Sequence, residues 1–369
     1  MKPVAIHIGL RRVVDDSYDI LIGIPLARAI EDIVRISGGG KAFVITDTNV
    51  ARRYARAVDR SLRVRGKRCK ILVVPPGEKS KSRGIKARLE NLLLSAGAGR
   101  DSLIIALGGG MVGDLAGFVA ATLFRGVPYV QIPTTLIAQV DSSVGGKVAV
   151  DHPLGKNLLG AFYQPKRVYI DRAFLRTLPP REIRNGIAEI VKYAAILDRR
   201  LFSVLESSST GDAARNSASI LNIIKRCCIL KKSVVEEDER EADRRRILNF
   251  GHTIGHALES LSRYRISHGE AVARGMVAEA MIAAGLGMIS KNEVARLERL
   301  LQIYGLPTDI SAHVDLNRLF NMTRRDKKAR GGVVEYTLLE KIGKGVTGVR
   351  LSPSRARSLF RAGLSKRPR

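Results

Sequence analysis

The sequence predicts an α/β N-terminal domain built on a doubly wound parallel sheet, followed by a mostly α-helical C-terminal domain. Short apolar runs alternate with helix-length segments between residues 41 and 180, a pattern typical of buried parallel strands joined by helices. The pattern changes at Pro179 and Pro180, after which long segments with helical spacing follow. The change predicts two domains, residues 1–179 and residues 180–369.

The individual elements are predicted from the same patterns. In the first domain the strands are predicted at residues 41–47, 69–75, 102–107, 128–133 and 167–171. The helices between them are predicted at residues 50–64, 81–96 and 113–122. In the second domain, helices are predicted at residues 181–205, 218–237, 252–261, 269–286 and 292–304, with a strand at 333–339. Residues 207–217 are small and polar, which predicts a loop.

The composition indicates a globular chain. Hydrophobic residues make up 45% of its 369 residues, and the mean hydropathy is −0.01. No apolar run approaches the roughly 18 residues that span a bilayer, and the N-terminus does not resemble a secretory signal. Three cysteines fit neither a disulfide framework nor a C-x-x-C metal site. We therefore expect a cytoplasmic protein.

The net charge of +28 is unusual. Such an excess can indicate nucleic acid, a membrane surface or an anionic small molecule as the partner. Aromatic residues make up only 5% of the chain and tryptophan is absent, so surfaces on which single-stranded bases could stack are scarce. We expect neither nucleic acid nor a membrane as the main partner, and we interpret the excess as a general basic bias on solvated faces.

A glycine-rich turn follows the third predicted strand. Gly108, Gly110 and Gly113 match the spacing G-x-G-x-x-G, in which a strand, a turn and a helix N-terminus present N–H groups to a pyrophosphate. The acid expected about 20 residues later is missing. Asp47 and Asn49 instead end another strand, where they could bond ribose hydroxyls. These residues indicate a dinucleotide site, with a glycine turn needed only for packing as the alternative.

Histidines and a carboxylate indicate a metal site. His252 and His256 lie four residues apart, on one face of a helix, and His268 follows closely. Glu189 and Lys192 share a face of an earlier predicted helix. Imidazole and carboxylate groups together suit zinc. The alternative is a set of ordinary packed or surface histidines.

Residues that could bind an anion are spread over both domains. They are Arg125, Asp141, Lys147, Lys156 and Asn157 in the first, and Lys192, Lys231, Arg245, Asn249, Lys327 and Lys328 in the second. A multiply anionic substrate would need such cations to converge. In so basic a chain a single lysine is usually solvated, so only convergence would make these residues functional.

Longer motifs point to a family. They are GGGMVGDLAGFVAATLFRG, IPTTLIAQVDSSVGGKVAVDHPLGKNLLGAFYQP, NGIAEIVKYA, EEDERE followed by RILNFGHTIGHALE, and HGEAV. In order and spacing the chain resembles the 3-dehydroquinate synthases of the sugar-phosphate cyclase superfamily, from about residue 47 to residue 343. The resemblance implies an active site between the two domains and a homodimer.

The resemblance also implies a role for each matching residue. The metal ligands would be Glu189, His252 and His268. The cofactor would be held by Asp47, Asn49, Glu78, Lys81, Gly109, Gly110, Met111, Asp114, Thr134, Thr135, Lys147, Lys156 and Thr177. The substrate would be held by Arg125, Asp141, Lys147, Lys156, Asn157, Lys192, Lys231, Arg245, Asn249, His256 and one of Lys327 and Lys328, taken as Lys328. The catalytic residues would be Lys147, Lys192, Lys231, Arg245, Asn249 and His256.

The implied reaction converts 3-deoxy-D-arabino-heptulosonate 7-phosphate to 3-dehydroquinate and phosphate, a step of the shikimate pathway to aromatic amino acids. It implies NAD⁺ and one divalent metal, zinc or cobalt. The implied course is transient oxidation, phosphate elimination, reduction, ring opening and aldol closure. One alternative is another sugar-phosphate cyclase, of the amino-dehydroquinate or 2-deoxy-scyllo-inosose type. A second is a metal-dependent NAD alcohol dehydrogenase, a class that lacks the DSSVGGK and GKN runs.

The basic segment after Pro353 has no counterpart among these motifs. One interpretation is that its charges only steer an anionic substrate toward the site. The other is that Leu359, Phe360 and Leu364 form an apolar stripe that packs on the helical domain.

Overall fold

A six-stranded parallel sheet organises the first half of the chain in the computed structural model. The structure describes residues 15–207, 218–263, 265–310, 314–325 and 332–364. Its strands are β1 Asp19–Ile22, β2 Ala42–Asp47, β3 Cys69–Val74, β4 Leu103–Gly108, β5 Tyr129–Pro133, β6 Lys147–His152, β7 Gly155–Phe162, β8 Arg167–Ile170, β9 Val334–Lys341 and β10 Lys344–Leu351. The sheet order is β1-β8-β5-β4-β2-β3, and every neighbouring pair is parallel.

Helices cover the sheet and make up most of the second half. They are α1 Leu26–Ile36, α2 Arg56–Val64, α3 Arg83–Ser95, α4 Gly110–Thr122, α5 Pro180–Leu197, α6 Arg199–Ser207, α7 Ala218–Glu237, α8 His252–Leu261, α9 His268–Gly285, α10 Lys291–Ile303, α11 Leu316–Met322 and α12 Pro353–Leu364. The helix predicted at residues 50–64 is α2 preceded by the helical turns Thr48–Val50 and Ala51–Ala55. None of the helices in these ranges is long and apolar enough to cross a membrane.

The central strands are apolar throughout because both of their faces are covered. Along β2, Phe43 and Ile45 pack with residues of α3 and α4 on one face. Val44, between them, packs with α1 and α2 on the other face. This arrangement confirms the predicted doubly wound α/β class, and all five predicted strands of this half are present within two residues of their predicted ends.

Several elements of the first half were not predicted. β1 and α1 precede the first predicted strand, and β1 is a four-residue edge strand too short to leave a clear pattern. β6 and β7 form an antiparallel hairpin outside the main sheet. Its strands differ in burial: Val148, Ala149 and Val150 of β6 are all buried, with Val148 against Gly117 of α4, whereas the residues of β7 are half-buried or exposed.

The helical half forms around α5, which begins at Pro180. The helix predicted at residues 181–205 is in fact two helices, because Asp198 is extended and caps α6. Its Oδ1 accepts hydrogen bonds from the backbone N–H groups of Arg200 and Leu201 at 2.9 and 3.1 Å. The predicted strand at 333–339 is β9, paired with β10. The predicted loop at 207–217 lies outside the described residues except for Ser207, and the boundary at 179/180 stays a prediction.

The segment after Pro353 is part of this core. It forms α12, whose Leu359 and Phe360 are buried. The rings of Phe360 and Phe320 of α11 have centroids 5.8 Å apart. Leu364, the third residue of the predicted stripe, is 37% exposed. The packing interpretation is therefore correct for two of the three residues.

Candidate active site

Three side chains from three helices form a carboxylate–imidazole cluster. Glu189 lies at the middle of α5 and is fully buried, while His252 and His268 are the first residues of α8 and α9. Glu189 Oε1 lies 3.5 Å from His252 Nε2 and 3.2 Å from His268 Nε2. The fold thus brings together three groups, the first and last of which are 79 residues apart in the chain, as the family resemblance implied.

This cluster fits a divalent cation. One ligand atom from each of Glu189, His252 and His268 lies within 4.8 Å of the others, and two imidazoles with one carboxylate suit zinc or cobalt. His252 Nδ1 lies 3.1 Å from the carbonyl oxygen of Phe250, which orients Nε2 toward Glu189. Burial by itself lowers the pKa of His268, but Glu189 and Glu259 raise it to about 9. That shift reflects a negative potential that favours a cation.

Glu259 is a site residue that the sequence analysis missed. It is buried on α8, with Oε1 3.0 Å from Lys156 Nζ and Oε2 3.6 Å from His268 Nδ1. It joins the metal cluster to the β6–β7 hairpin. A signal was present, because residue 259 follows His252 by seven positions and His256 by three, on the same helical face. His256 is exposed, with its ring centroid 5.2 Å from that of His252.

Buried cations extend the site away from this cluster. Lys192 is buried and pairs with Glu189. Asp141, in the π-helical turn Ala138–Ser142, accepts a hydrogen bond from the Tyr193 hydroxyl at 2.7 Å and pairs with Lys231. Burial lowers the pKa of Lys231, although Asp141 raises it. These groups are not on unrelated solvated faces, which was the alternative for a basic chain.

A second ionic group lies at the start of the hairpin. Lys147 pairs with Glu241, which also accepts a hydrogen bond from Asn249 Nδ2 at 2.9 Å. Arg245 is buried, and its Nη2 donates to the Gly145 carbonyl at 3.0 Å. Burial lowers the pKa of Lys147 and that of Arg245. The sequence analysis did not select Glu241, and no spacing distinguishes it from the other acids of its acidic run.

The predicted cofactor residues surround the carboxyl ends of the strands. Gly109 and Gly110 join β4 to α4. An added Cβ on Gly109 would lie 2.9 Å from Thr135 Cγ2, and one on Gly110 would lie 2.8 Å from Ser142 Oγ. A side chain at either position would therefore displace Thr135 or Ser142, and the N-terminus of α4 presents backbone N–H groups of the kind that bind a phosphate. Thr134 donates its backbone N–H to the Gly108 carbonyl at 2.9 Å.

Lys81 connects this turn with the hairpin. Its Nζ lies 2.5 Å from Asp114 Oδ2 on α4 and 3.9 Å from Glu78 Oε1, and it also bonds Asn157. Asn157 has a φ of +55°, a left-handed conformation that asparagine tolerates. Lys81 and Asn157, predicted to hold cofactor and substrate, are therefore direct partners.

The remaining predicted residues lie around the same edge or beyond it. Asp47 ends β2, and its Oδ1 caps the following turn by accepting from the N–H groups of Asn49 and Val50 at 2.8 and 3.2 Å. Part of this carboxylate thus supports the backbone rather than a ribose. Thr177 bonds the hydroxyl of Tyr54 at 2.9 Å. Met111 is half-buried in the first turn of α4.

One predicted substrate contact is not brought to the site, and another lies outside the described residues. Arg125 follows the opposite end of the 13-residue helix α4, about 20 Å from the glycine turn at 1.5 Å per residue. It is exposed, and the described part of the chain provides no hydrogen-bond or ionic partner for it. Lys327 and Lys328 lie outside the described residues.

Two models of known protein families together match most of the chain. Residues 71–185 match the model for 3-dehydroquinate synthase N-terminal domains, and residues 186–329 match that for the C-terminal domains. A 3-dehydroquinate synthase from Pelobacter propionicus is 46% identical over 331 residues, which cover 89% of this chain and 92% of that protein.

Solved structures share the fold. A 2-deoxy-scyllo-inosose synthase complexed with carbaglucose-6-phosphate, NAD⁺ and Co²⁺ is 29% identical with a TM-score of 0.83, covering 93% of this chain and 96% of that one. The 2-epi-5-epi-valiolone synthase from Streptomyces hygroscopicus, with NAD⁺ and Zn²⁺ bound, is 24% identical with a TM-score of 0.88, covering 97% of this chain and 100% of that one.

Proposed function

Because the chain belongs to the 3-dehydroquinate synthase family, we propose that it converts 3-deoxy-D-arabino-heptulosonate 7-phosphate to 3-dehydroquinate and inorganic phosphate. One observation carries the proposal. The carboxylate–imidazole cluster adjoins buried cations, which in turn adjoin the glycine turn through Asp141 and Ser142. A substrate with hydroxyls, a carboxylate and a phosphate, next to a dinucleotide, requires these three kinds of contact in one place.

The site holds NAD⁺ and one divalent cation in this proposal. NAD⁺ supplies a reversible hydride acceptor, and the cation polarises a substrate hydroxyl. Glu189, His252 and His268 would hold the cation, and the glycine turn would receive the pyrophosphate. The 2-deoxy-scyllo-inosose synthase, named with both NAD⁺ and Co²⁺, supports this pair of cofactors. The proposed cofactor set is otherwise that predicted from the sequence: Asp47, Asn49, Glu78, Lys81, Met111, Asp114, Thr134, Thr135, Lys147, Lys156 and Thr177.

The chain's own cations bind and orient the substrate. Lys147, Arg245 and Lys231 have pKa values lowered by burial, which a dianionic ligand would reverse by stabilising their charged forms. Each already has an acidic or carbonyl partner that restricts its side chain, so little side-chain entropy is lost when the substrate binds. We assign the substrate's carboxylate and phosphate to these groups together with Lys156 and Lys192.

His256 and Asn249 are the groups placed to handle protons. The His256 ring lies beside the metal cluster and is exposed, so it can exchange a proton with a ligand and with water. Asn249 Nδ2 is oriented by Glu241, which leaves the amide oxygen of Asn249 to accept from the substrate. We propose that His256 holds a proton near the leaving phosphate, and that Glu241 positions Asn249 and Lys147 together.

Phosphate release from the heptulosonate phosphate tests this function. We expect release that requires NAD⁺ in catalytic amount, stops with a chelator and returns with zinc or cobalt. His268→Ala should lose the metal and the activity. Release that persists without NAD⁺ and without metal would refute the proposal, and steady accumulation of NADH in step with product would favour the alcohol dehydrogenase alternative.

A second candidate is another sugar-phosphate cyclase, which the 29% identity to 2-deoxy-scyllo-inosose synthase favours. The same assay with a hexose 6-phosphate distinguishes the two. Turnover of the hexose phosphate at a higher kcat/KM than the heptulosonate phosphate would select the second candidate. Because the chain is 46% identical to a 3-dehydroquinate synthase, we expect a higher kcat/KM for the heptulosonate phosphate than for the hexose phosphate.

We further propose that the protein works as a cytoplasmic homodimer. Arg125, about 20 Å from the glycine turn along α4, would most simply meet the substrate of a second copy, and Lys328 is retained as a substrate contact. Light scattering on the purified chain tests the dimer. If Arg125 acts across an interface, mixing Arg125→Ala chains with chains inactive at His268 should restore part of the activity, whereas either variant alone should stay inactive.

A further inference from the structure

We propose that Glu279 is a positioning residue that holds the two metal-binding imidazoles at their working distance by capping α8 from α9. The inference rests on the proposed function, in which His252 and His268 bind the cation. It concerns a residue that touches neither the substrate nor the reacting atoms and that no motif selected from the sequence.

Helix α8 lacks a cap of its own. The residue before it is Gly251, with a φ of +79°, and no side chain at that position accepts from the first turn. The first N–H groups of a buried helix need acceptors. Glu279, fully buried on α9, supplies them: Oε2 accepts from Gly251 N at 2.6 Å and Oε1 accepts from Ile254 N at 3.1 Å. Both carboxyl oxygens thus lie at the N-terminal, positive end of the α8 dipole.

The two helices approach closely at this same point. A Cβ added to Gly275 on α9 would overlap the carbonyl oxygen of Gly251, and one added to Gly255 would lie 3.1 Å from the carbonyl oxygen of Ala271. The glycines permit the close approach of the two helices. The two hydrogen bonds that Glu279 accepts fix the position of α8 along the axis of α9. The N-terminus of α8 therefore has one defined position relative to α9.

This position determines the metal geometry. His252 directly follows Gly251, and its Nε2 lies within 3.5 Å of Glu189 Oε1, as His268 Nε2 does from the other helix. A shift of the first turn of α8 would move one imidazole while leaving the other in place. Metal affinity depends steeply on such placement, and loss of a supporting hydrogen bond around a metal site typically weakens binding about 10- to 100-fold.

The test compares binding of CoCl₂ alone to the metal-free wild type and to Glu279→Gln, by equilibrium dialysis and by the visible absorption of the bound Co²⁺. In the variant the amide oxygen can accept from one N–H, while its NH₂ group meets the other. We expect a Kd about 10- to 100-fold weaker and an altered absorption spectrum. If Glu279→Gln does not fold, Glu279→Asp carries the same test, because it keeps the carboxyl group and withdraws its oxygens by one methylene.

Glu293→Gln is the matched control. Glu293 on α10 also accepts two backbone N–H groups, from Ser290 at 3.3 Å and Ile342 at 3.1 Å, outside the metal cluster. The Glu293→Gln substitution should lower the melting temperature and leave Co²⁺ binding unchanged. A wild-type Kd and spectrum in the Glu279 variants would overturn the inference while leaving the proposed function intact. A wild type that binds no Co²⁺ would overturn both.

Discussion

Lys231 and Lys232 are neighbours in sequence, but the fold gives them different surroundings. Lys231 is buried and held by Asp141, whereas the side chain of Lys232 is 61% exposed and pairs with Glu236 one turn away. A basic chain contains many lysines like Lys232. What distinguishes Lys231 is a partner about 90 residues earlier in the chain, which periodicity cannot reveal.

We predict that Lys231→Ala weakens substrate binding about 10- to 150-fold, because a charge-assisted contact contributes roughly 1.5–3 kcal/mol. Lys232→Ala should stay within about twofold of the wild type, since exposed ion pairs contribute little. Binding of the heptulosonate phosphate to both variants, measured by calorimetry, checks the pair. Equal effects of the two substitutions on binding would show that Lys231 does not contact the substrate.

At the scale of elements, the crossing of α8 and α9 depends on a glycine that looks ordinary in sequence. Gly275 leaves room for the carbonyl oxygen of Gly251, whereas Gly84, in the first turn of α3, has nothing within 4 Å of an added Cβ. Both are helical glycines, so propensity alone favours alanine at each.

We predict opposite signs for the two alanine substitutions. Gly275→Ala should lower the free energy of unfolding by about 1–3 kcal/mol because the helices must separate, and Gly84→Ala should raise it by about 0.5–1 kcal/mol. Urea denaturation of both variants measures the difference. Stabilisation by Gly275→Ala would show that α8 and α9 are not packed at that point.

The last helix provides a second prediction at this scale. Leu359 is 5% exposed and approaches Gly285 of α9, while Leu364 is 37% exposed. Leu359→Ala should cost about 2–5 kcal/mol of stability, and Leu364→Ala clearly less. Thermal and urea unfolding compare the two. If the two substitutions lower the stability equally, the basic segment acts as a steering tail. Deleting the segment should then change kcat/KM in a salt-dependent way.

For the whole molecule, acid stability depends in part on the contact between α1 and strand β8 of the sheet. Asp32 on α1 accepts hydrogen bonds from Arg167 at 2.6 Å and Tyr169 at 2.8 Å, both on β8. Burial by itself raises the pKa of Asp32, but these bonds and Arg35 lower it to about 2. A depressed carboxyl pKa stabilises the fold above the unfolded value near 4, and this contribution is lost as the pH falls from about 4 to about 2.

We predict that Asp32→Asn lowers the free energy of unfolding by about 2 kcal/mol at pH 7. The deficit relative to the wild type should shrink below pH 4, because the wild type then loses the same charge. Urea denaturation at pH 7 and pH 3 gives the two differences. A deficit that is constant with pH would mean that the side-chain shape, and not the carboxylate, provides the stability.

The sequence by itself determined the fold class, the family and the residues that belong to its motifs. Continuous apolar strands specify a sheet covered on both faces, and the glycine turn needs only its own strand and helix, so local patterns suffice for both. The spacing of His252, His256 and His268 likewise placed them together. Elements with weak local patterns escaped prediction: the short edge strand β1, the half-exposed hairpin β6–β7 and the break at Asp198.

Only the tertiary structure decided which charges are partners. Glu241 and Glu279 have no spacing that distinguishes them in sequence, and each acquires its role from a group on another element: Lys147 and the N-terminus of α8. The partner of Glu259, Lys156, is likewise on another element. Such pairings depend on how helices and strands pack, which a residue's own neighbours in the chain do not encode. The physical reason is that burial determines the pKa of a charged group and the free energy of its ion pairs, and burial is a property of the assembled fold.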